Sequence, residues 1–257
     1  MASAAYDSDP RALLRALLAT IEDEVIPLTA KGVSSGNKLF GAAILTKDGL
    51  VSQTVATNNE TVSPLLHGEI NCIQQFFAQK SFPTSSSSSS KEGVRKLSLQ
   101  RPNPRDCVFL ATHEPCSLCL SGITWSGFDN FFYLFTYEDS RDLFAIPYDI
   151  DILQEVFRVP AVPPRASLSD SEKGGVGDAV VVEEEDLEAR PLYNRRNKFF
   201  TARSFEDLAC EIGDRYGKEE GKKWRDEIRR VKARYNGLSD TYQKRKENGL
   251  ESASFWK

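Results

Sequence analysis

Two short stretches hold residue types able to do chemistry at a metal: Leu66-His67-Gly68-Glu69-Ile70, and Thr112-His113-Glu114-Pro115-Cys116-Ser117-Leu118-Cys119. Together they read His-x-Glu followed by Pro-Cys-x-x-Cys, which offers one imidazole, two thiolates and a carboxylate that need not be a ligand. Zn²⁺ held tetrahedrally by three protein groups keeps its fourth position for water and lowers that water's pKa to roughly 7, giving hydroxide at neutral pH. If His67 and Cys116 each open a helix, the positive ends of two helix dipoles point at the metal and favour thiolate over thiol. Cys119, one turn after Cys116, then lies on the same side. Glu69, two residues past His67, reaches metal-bound water without coordinating the metal and can carry protons. A lone Cys-x-x-Cys also occurs as half of a structural zinc site or as a redox pair. A structural site would more typically supply four protein ligands, and the chain's one other histidine is His113.

The pattern resembles the zinc-dependent cytidine/deoxycytidylate deaminase superfamily. Its Pro-Cys-x-x-Cys spacing is similar to the branch with guanine, cytosine, deoxycytidylate and tRNA adenosine deaminases. The resemblance covers roughly residues 10 to 157. It implies Zn²⁺ as cofactor with His67, Cys116 and Cys119 as ligands, and Glu69 as the catalytic proton shuttle. Attack occurs at an amino-bearing ring carbon and ammonia leaves. It also implies a substrate-binding Asn near the end of the second strand, where Asn58 is favoured over Asn59, with backbone groups near Gly68 and Glu114 beside the base. A homodimer through the Cys-containing helix region is the usual assembly.

The elements that must position these groups follow from periodicity and turn chemistry. Asp9-Pro10, then apolar residues at 13, 14, 17, 18 and 21, predicts a capped amphipathic helix to about Val25, with a solvated acidic end at Glu22-Asp23-Glu24. Leu39 to Leu45 and Leu50 to Ala56 predict a hairpin about Lys47-Asp48-Gly49. A helix from His67 to about Lys80 has Ile70, Ile73, Phe76 and Phe77 as its buried stripe. Ser81 to about Arg105, with six consecutive serines, reads as a low-complexity insertion. Asp106–Thr112 is a buried strand delivering Cys116 to a helix that runs to about Trp125. Asn130–Thr136 is a second strand, parallel to the first through a right-handed crossover. The loop beyond it, at the carboxyl edge of the sheet, makes Tyr137 and Asp139 substrate-contact candidates, with a helix cap as the alternative for Asp139. Asp149 to Phe157 is helical. The expected fold is a three-layer α/β/α cytidine deaminase-like domain with a mixed sheet over residues 1–157. A mobile acidic insertion follows over 158–192, in which Val180–Val182 add a short edge strand, and then a helical C-terminal extension over 193–257.

Composition bounds the rest. Net charge is −4 at pH 7, so nothing globally attracts nucleic acid or anionic membrane. Cys72, Cys107 and Cys210 read as small core hydrophobes and His113 as a packed or hydrogen-bonded side chain. No signal or membrane-spanning run is present, which makes the cytoplasm the default compartment and the nucleus its alternative. Lys218 to Lys246 holds eleven Lys/Arg against five Asp/Glu. That segment is read as a solvated helix docked through Trp224, Ile228 and Tyr235, or as an RNA-facing surface. Tyr242, Phe255 and Trp256 are candidates to lid the pocket. The expected activity is hydrolytic deamination of a small-molecule amino-heterocycle (base, nucleoside or nucleotide). The alternatives are adenosine-to-inosine deamination of tRNA and a non-catalytic zinc-binding partner subunit.

Overall fold

Alternation along the central strands decides the architecture, because successive residues of a strand face opposite sides of its sheet. Ala42, Ile44, Phe109, Ala111, Phe131 and Tyr133 fall in one apolar cluster, while Ala43, Leu45, Val108, Leu110, Phe132 and Leu134 fall in another. A sheet buried on both faces must carry helices on both, which makes three layers. The structure, a computed structural model, describes residues 9–83, 97–98, 100–157 and 192–247.

Helix α1, Pro10–Thr20, is capped by the Asp9 side chain and passes through a π-turn at Ile21–Val25 into α2, Ile26–Ser34. The first helical segment thus runs beyond the expected end at Val25, since Pro27 falls in the first turn of α2, where its missing N–H costs nothing. The hairpin is β1, Gly41–Thr46, with β2, Ser52–Thr57, and its turn uses positive φ at Gly49 and Leu50. Next come α3, Gly68–Ala78, and two-residue strands β3, Phe82–Pro83, and β4, Leu97–Ser98. Then β5, Cys107–His113, leads to α4, Ser117–Trp125, and β6, Asn130–Phe135, to α5, Tyr137–Phe144, and α6, Tyr148–Phe157. The chain closes with β7, Thr201–Ser204, and helices α7, Phe205–Tyr216, α8, Lys218–Ala233, and α9, Asn236–Glu247.

The sheet order is β2-β1-β5-β6-β7; β1 is antiparallel to β2 and β5, and β5-β6 and β6-β7 are parallel. This is the expected mixed sheet in an α/β fold with C-terminal helices. Strand β7 is an addition: residues from Tyr193 on were expected to be helical throughout, but Thr201–Ser204 pair with Asn130–Tyr133 before a Ser204/Asp207 capping box starts α7. The expected edge strand at Val180–Val182 and the serine run lie outside the described residues, as do Phe255 and Trp256. No helix among the described residues is long and apolar enough to cross a membrane.

Helices α3 and α4 cover one face through Cys72, Ile73, Phe76, Leu120 and Ile123. The other face takes α1 and α2 together with Phe205, Leu208, Ile212, Trp224, Ile228 and Tyr235 of the C-terminal segment. Three local expectations are corrected. Phe77 is exposed and its place in the buried stripe of α3 goes to Cys72, one turn before Phe76. Cys210 is exposed, because the buried face of α7 is Phe205, Leu208, Ala209 and Ile212. Glu22 is not simply solvated: its carboxylate accepts from Arg230 Nη1 at 2.7 Å and Arg234 Nη1 at 2.8 Å on α8 and just past it.

Candidate metal centre and active site

His67 and Cys116 occupy equivalent positions. Each is the N-cap residue of its helix, with extended backbone (φ −61°, ψ 157° and φ −63°, ψ 171°), and neither spends its side chain on capping. The imidazole and thiol are thus left over for another partner at the positive ends of α3 and α4. Strand β5 delivers Cys116, and Cys119 follows in the first turn of α4, fully buried. The ligand atoms of His67, Cys116 and Cys119 all lie within 4.8 Å of one another. His67 Nδ1 is 3.4 Å from Cys116 Sγ and 3.7 Å from Cys119 Sγ. Tetrahedral Zn–N and Zn–S bonds put ligand N and S about 3.6 Å apart, so the spacing and the one-imidazole, two-thiolate set fit Zn²⁺. Hydrogen bonding from Cys119 is the first cause holding the Cys116 thiol well below its usual range.

Glu69 sits beside the cluster, 5% exposed, with Oε2 3.3 Å from Cys119 Sγ. Burial, reinforced by charge on Cys116, pushes its carboxyl up to about 7. Asn58 is 1% exposed; its Oδ1 accepts the Gly68 N–H at 2.7 Å, which fixes the amide's orientation and leaves Nδ2 buried with no partner among the described residues. A buried donor without an acceptor costs about 1–3 kcal/mol, so Nδ2 has capacity for an acceptor from outside the fold. The same bond engages Gly68's N–H. Gly68 itself is packed on backbone: a Cβ there would lie 2.9 Å from Gly41 Cα and 3.1 Å from the Phe40 oxygen.

The other expected substrate contacts have partners of their own. Glu114 Oε2 accepts the Tyr137 N–H at 3.1 Å and Oε1 accepts the Tyr193 hydroxyl at 2.7 Å. Tyr137, 3% exposed, donates its hydroxyl to the Pro115 carbonyl at 2.5 Å, next to Cys116. Both side chains thereby hold the turn that presents Cys116. Asp139 closes a capping box with Thr136 and pairs with Lys232 Nζ at 2.5 Å, the capping role that the sequence offered as its alternative. His113 is packed, 3% exposed between Phe40 and Phe135, with Nδ1 2.9 Å from Thr112 Oγ1. The same Thr112 hydroxyl accepts the Gly41 N–H.

Sequence reasoning missed three residues here. Tyr193 lies in irregular chain and carries no local signal. Asp149, in the first turn of α6, was seen only as the start of a helix; burial and then the charge of Cys116 push its carboxyl up to about 7. Lys38, 8% exposed, precedes an apolar strand, and a cation there looked like ordinary loop polarity.

Residues 22–135 match the model of the cytidine and deoxycytidylate deaminase zinc-binding region. Over these residues the chain is similar to that family's zinc-binding region. Zn²⁺ is the metal that this family and the His67/Cys116/Cys119 geometry share. Among solved structures, guanine deaminase from Bacillus subtilis is 22% identical, with 55% of this chain and 77% of that chain covered at a TM-score of 0.38. Guanine deaminase from Nitrosomonas europaea is 15% identical over 80% of this chain and 81% of that one, at a TM-score of 0.35. A structure from a study of A-to-I editing by tRNA:A34 deaminases is 15% identical over 49% and 76%, at 0.30. No curated protein matches the chain.

Proposed function

We propose that the chain is a zinc-dependent hydrolytic deaminase of a small amino-heterocycle, with His67, Cys116 and Cys119 holding the metal and Glu69 carrying protons. The observation that carries this reading is a buried carboxylate, Glu69, set against a three-ligand cluster and accompanied by the unpartnered donor Asn58 Nδ2. Bound in that cluster, Zn²⁺ supplies a Lewis acid that makes water a nucleophile at neutral pH. Glu69 accepts a proton from the attacking water and returns it to the amino group, so that water and the amino ring become oxo ring and ammonia. Asn58 donates from Nδ2 to an acceptor on the ring or an attached sugar and fixes the amino-bearing carbon within reach. The burial of Glu69 keeps the proton on its carboxylate rather than in bulk solvent.

A small substrate fits better than RNA. Arg225, Arg229, Arg230, Lys232 and Arg234 are all paired with carboxylates, of Glu206, Asp226, Glu22, Glu227 and Asp139. Cations already neutralised within the fold release few counterions on meeting phosphates. The test is ammonia release by the zinc-loaded protein from cytosine, guanine, cytidine, deoxycytidylate and an anticodon stem-loop. Release from a small substrate is expected. Release from the stem-loop alone contradicts the small-substrate reading, and zinc binding with no release from any of them contradicts the enzyme reading.

A further inference from the structure

Lys38 and Glu60 form an ion pair at 8% and 4% exposure, where charged residues are almost never found unless they are paired. The pair is incomplete. Glu60 Oε2 accepts the backbone N–H of Lys38 at 2.8 Å, and Oε1 stands 3.4 Å from Nζ, longer than the 2.7–2.9 Å usual for a charge-assisted bond. An ammonium has three donors, and among the described residues Glu60 is the acceptor Lys38 Nζ has.

Position gives this incompleteness a use. Asn37 Oδ1 accepts the Thr61 N–H, and the Phe40 carbonyl accepts both the Asn58 N–H and the Thr57 hydroxyl. Residues 37–40 are therefore stitched to the segment that carries Asn58, and Gly41 follows against Gly68 at the start of α3. Lys38 is also among the charges that bear on the Asp149 carboxyl. Structure alone does not call for such a pair, since apolar residues of similar volume are often as stable or more so.

We propose that Lys38, held by Glu60, is the specificity-determining donor of the pocket, taking the carbonyl oxygen of an uncharged amino-oxo ring. The assignment rests on the deaminase reading above and deepens it to a substrate class: free bases or nucleosides bearing a ring carbonyl, not nucleotides. Glu60 cancels the charge of Lys38, so the pair offers a phosphate no net positive charge. A neutral carbonyl needs only a donor, and with Asn58 Nδ2 the pocket supplies two.

The experiment measures kcat and KM for ammonia release from cytosine, guanine, cytidine and deoxycytidylate, with zinc per chain determined for every variant. Wild type is expected to prefer an unphosphorylated amino-oxo substrate. Lys38→Met is expected to raise its KM about tenfold or more, with kcat within about threefold and zinc content unchanged, as loss of a charged donor to a ground-state acceptor should do. Glu60→Gln, which leaves the cation uncompensated, should shift preference toward deoxycytidylate. If either single variant fails to fold, Lys38→Met/Glu60→Gln, which removes both buried charges together, must show the same rise in KM. An unchanged KM in the folded Lys38 variant, or a wild type that prefers the nucleotide, overturns the assignment while leaving the deaminase reading standing. A zinc-loaded wild type that releases ammonia from none of the four overturns that reading and the assignment with it.

Discussion

At the residue scale, the site is made by side chains that helix starts leave unused. His67 and Cys116 sit where Ser, Thr or Asp would normally cap, and each helix forgoes that stabilisation so that a ligand points outward. Gly68 shows how tightly this corner is built. Gly68→Ala would set a methyl against the Gly41 and Phe40 backbone, which cannot swing aside, so a loss of about 1–3 kcal/mol is expected together with weaker zinc retention. Denaturant unfolding and metal analysis of the variant check both. His113 sets a pH dependence of stability. Burial, with Lys232 adding to it, holds its folded-state pKa well below 6.5. Above pH 6.5 the imidazole is neutral in both folded and unfolded chains; as pH falls through 6.5 the unfolded chain takes a proton that the folded one refuses, and stability drops. His113→Gln is therefore expected to flatten the dependence of the unfolding midpoint between pH 7 and 5, even if its midpoint at pH 8 is lower. The clustering of His67, Cys116 and Cys119 beside Glu69 was legible because their types and spacing leave few other uses. Lys38, Asp149 and Tyr193 were not, because a single charged or aromatic residue means nothing until the fold supplies its neighbours.

At the element scale, strands, caps and the helix order could be read from alternation and turn residues, and the departures have local causes. The π-turn at Ile21–Val25 lengthened the first helical segment past its expected end, and β7 was hidden because four residues are too few to show a period. Ion pairs on α8 shifted as well. Asp226 and Arg230 have the i, i+4 spacing of an ordinary helix pair, whereas the structure pairs Arg229 with Asp226 and Arg230 with Glu227 and Glu22. Glu22 of the π-turn draws Arg230 across, a partner that spacing along α8 does not contain. The crossing of α7 on α8 depends on Gly213 and Gly221, where a Cβ on Gly221 would come within 2.7 Å of Gly213 Cα and 3.0 Å of the Ala209 oxygen. Gly221→Ala must push the helices apart and is expected to cost about 1–3 kcal/mol, read as a fall in Tm with zinc content unchanged.

At the scale of the whole molecule, the C-terminal helices are less an appendage than half of a layer. Trp224, Ile228, Val231 and Tyr235 share one core with Leu13, Leu17 and Ile21 of the N-terminal helices, and β7 extends the sheet. Tyr193 ties the start of this segment to Glu114 and so to the turn before Cys116, and Tyr242, 6% exposed, is buried in the same core. The basic residues of α8 read in the sequence as a solvated face or, as the alternative, a surface for RNA; in the fold Arg225, Arg230 and Lys232 pair with Glu206, Glu22 and Asp139. The proposed chemistry comes down to Glu69 as proton carrier beside a metal held by three ligands. The most direct measurement is the rate of ammonia release per bound zinc in the wild type and in Glu69→Gln. Full zinc occupancy in the variant with a rate lower by about 10²-fold or more is predicted, and a Glu69→Gln protein that turns over at the wild-type rate would contradict it.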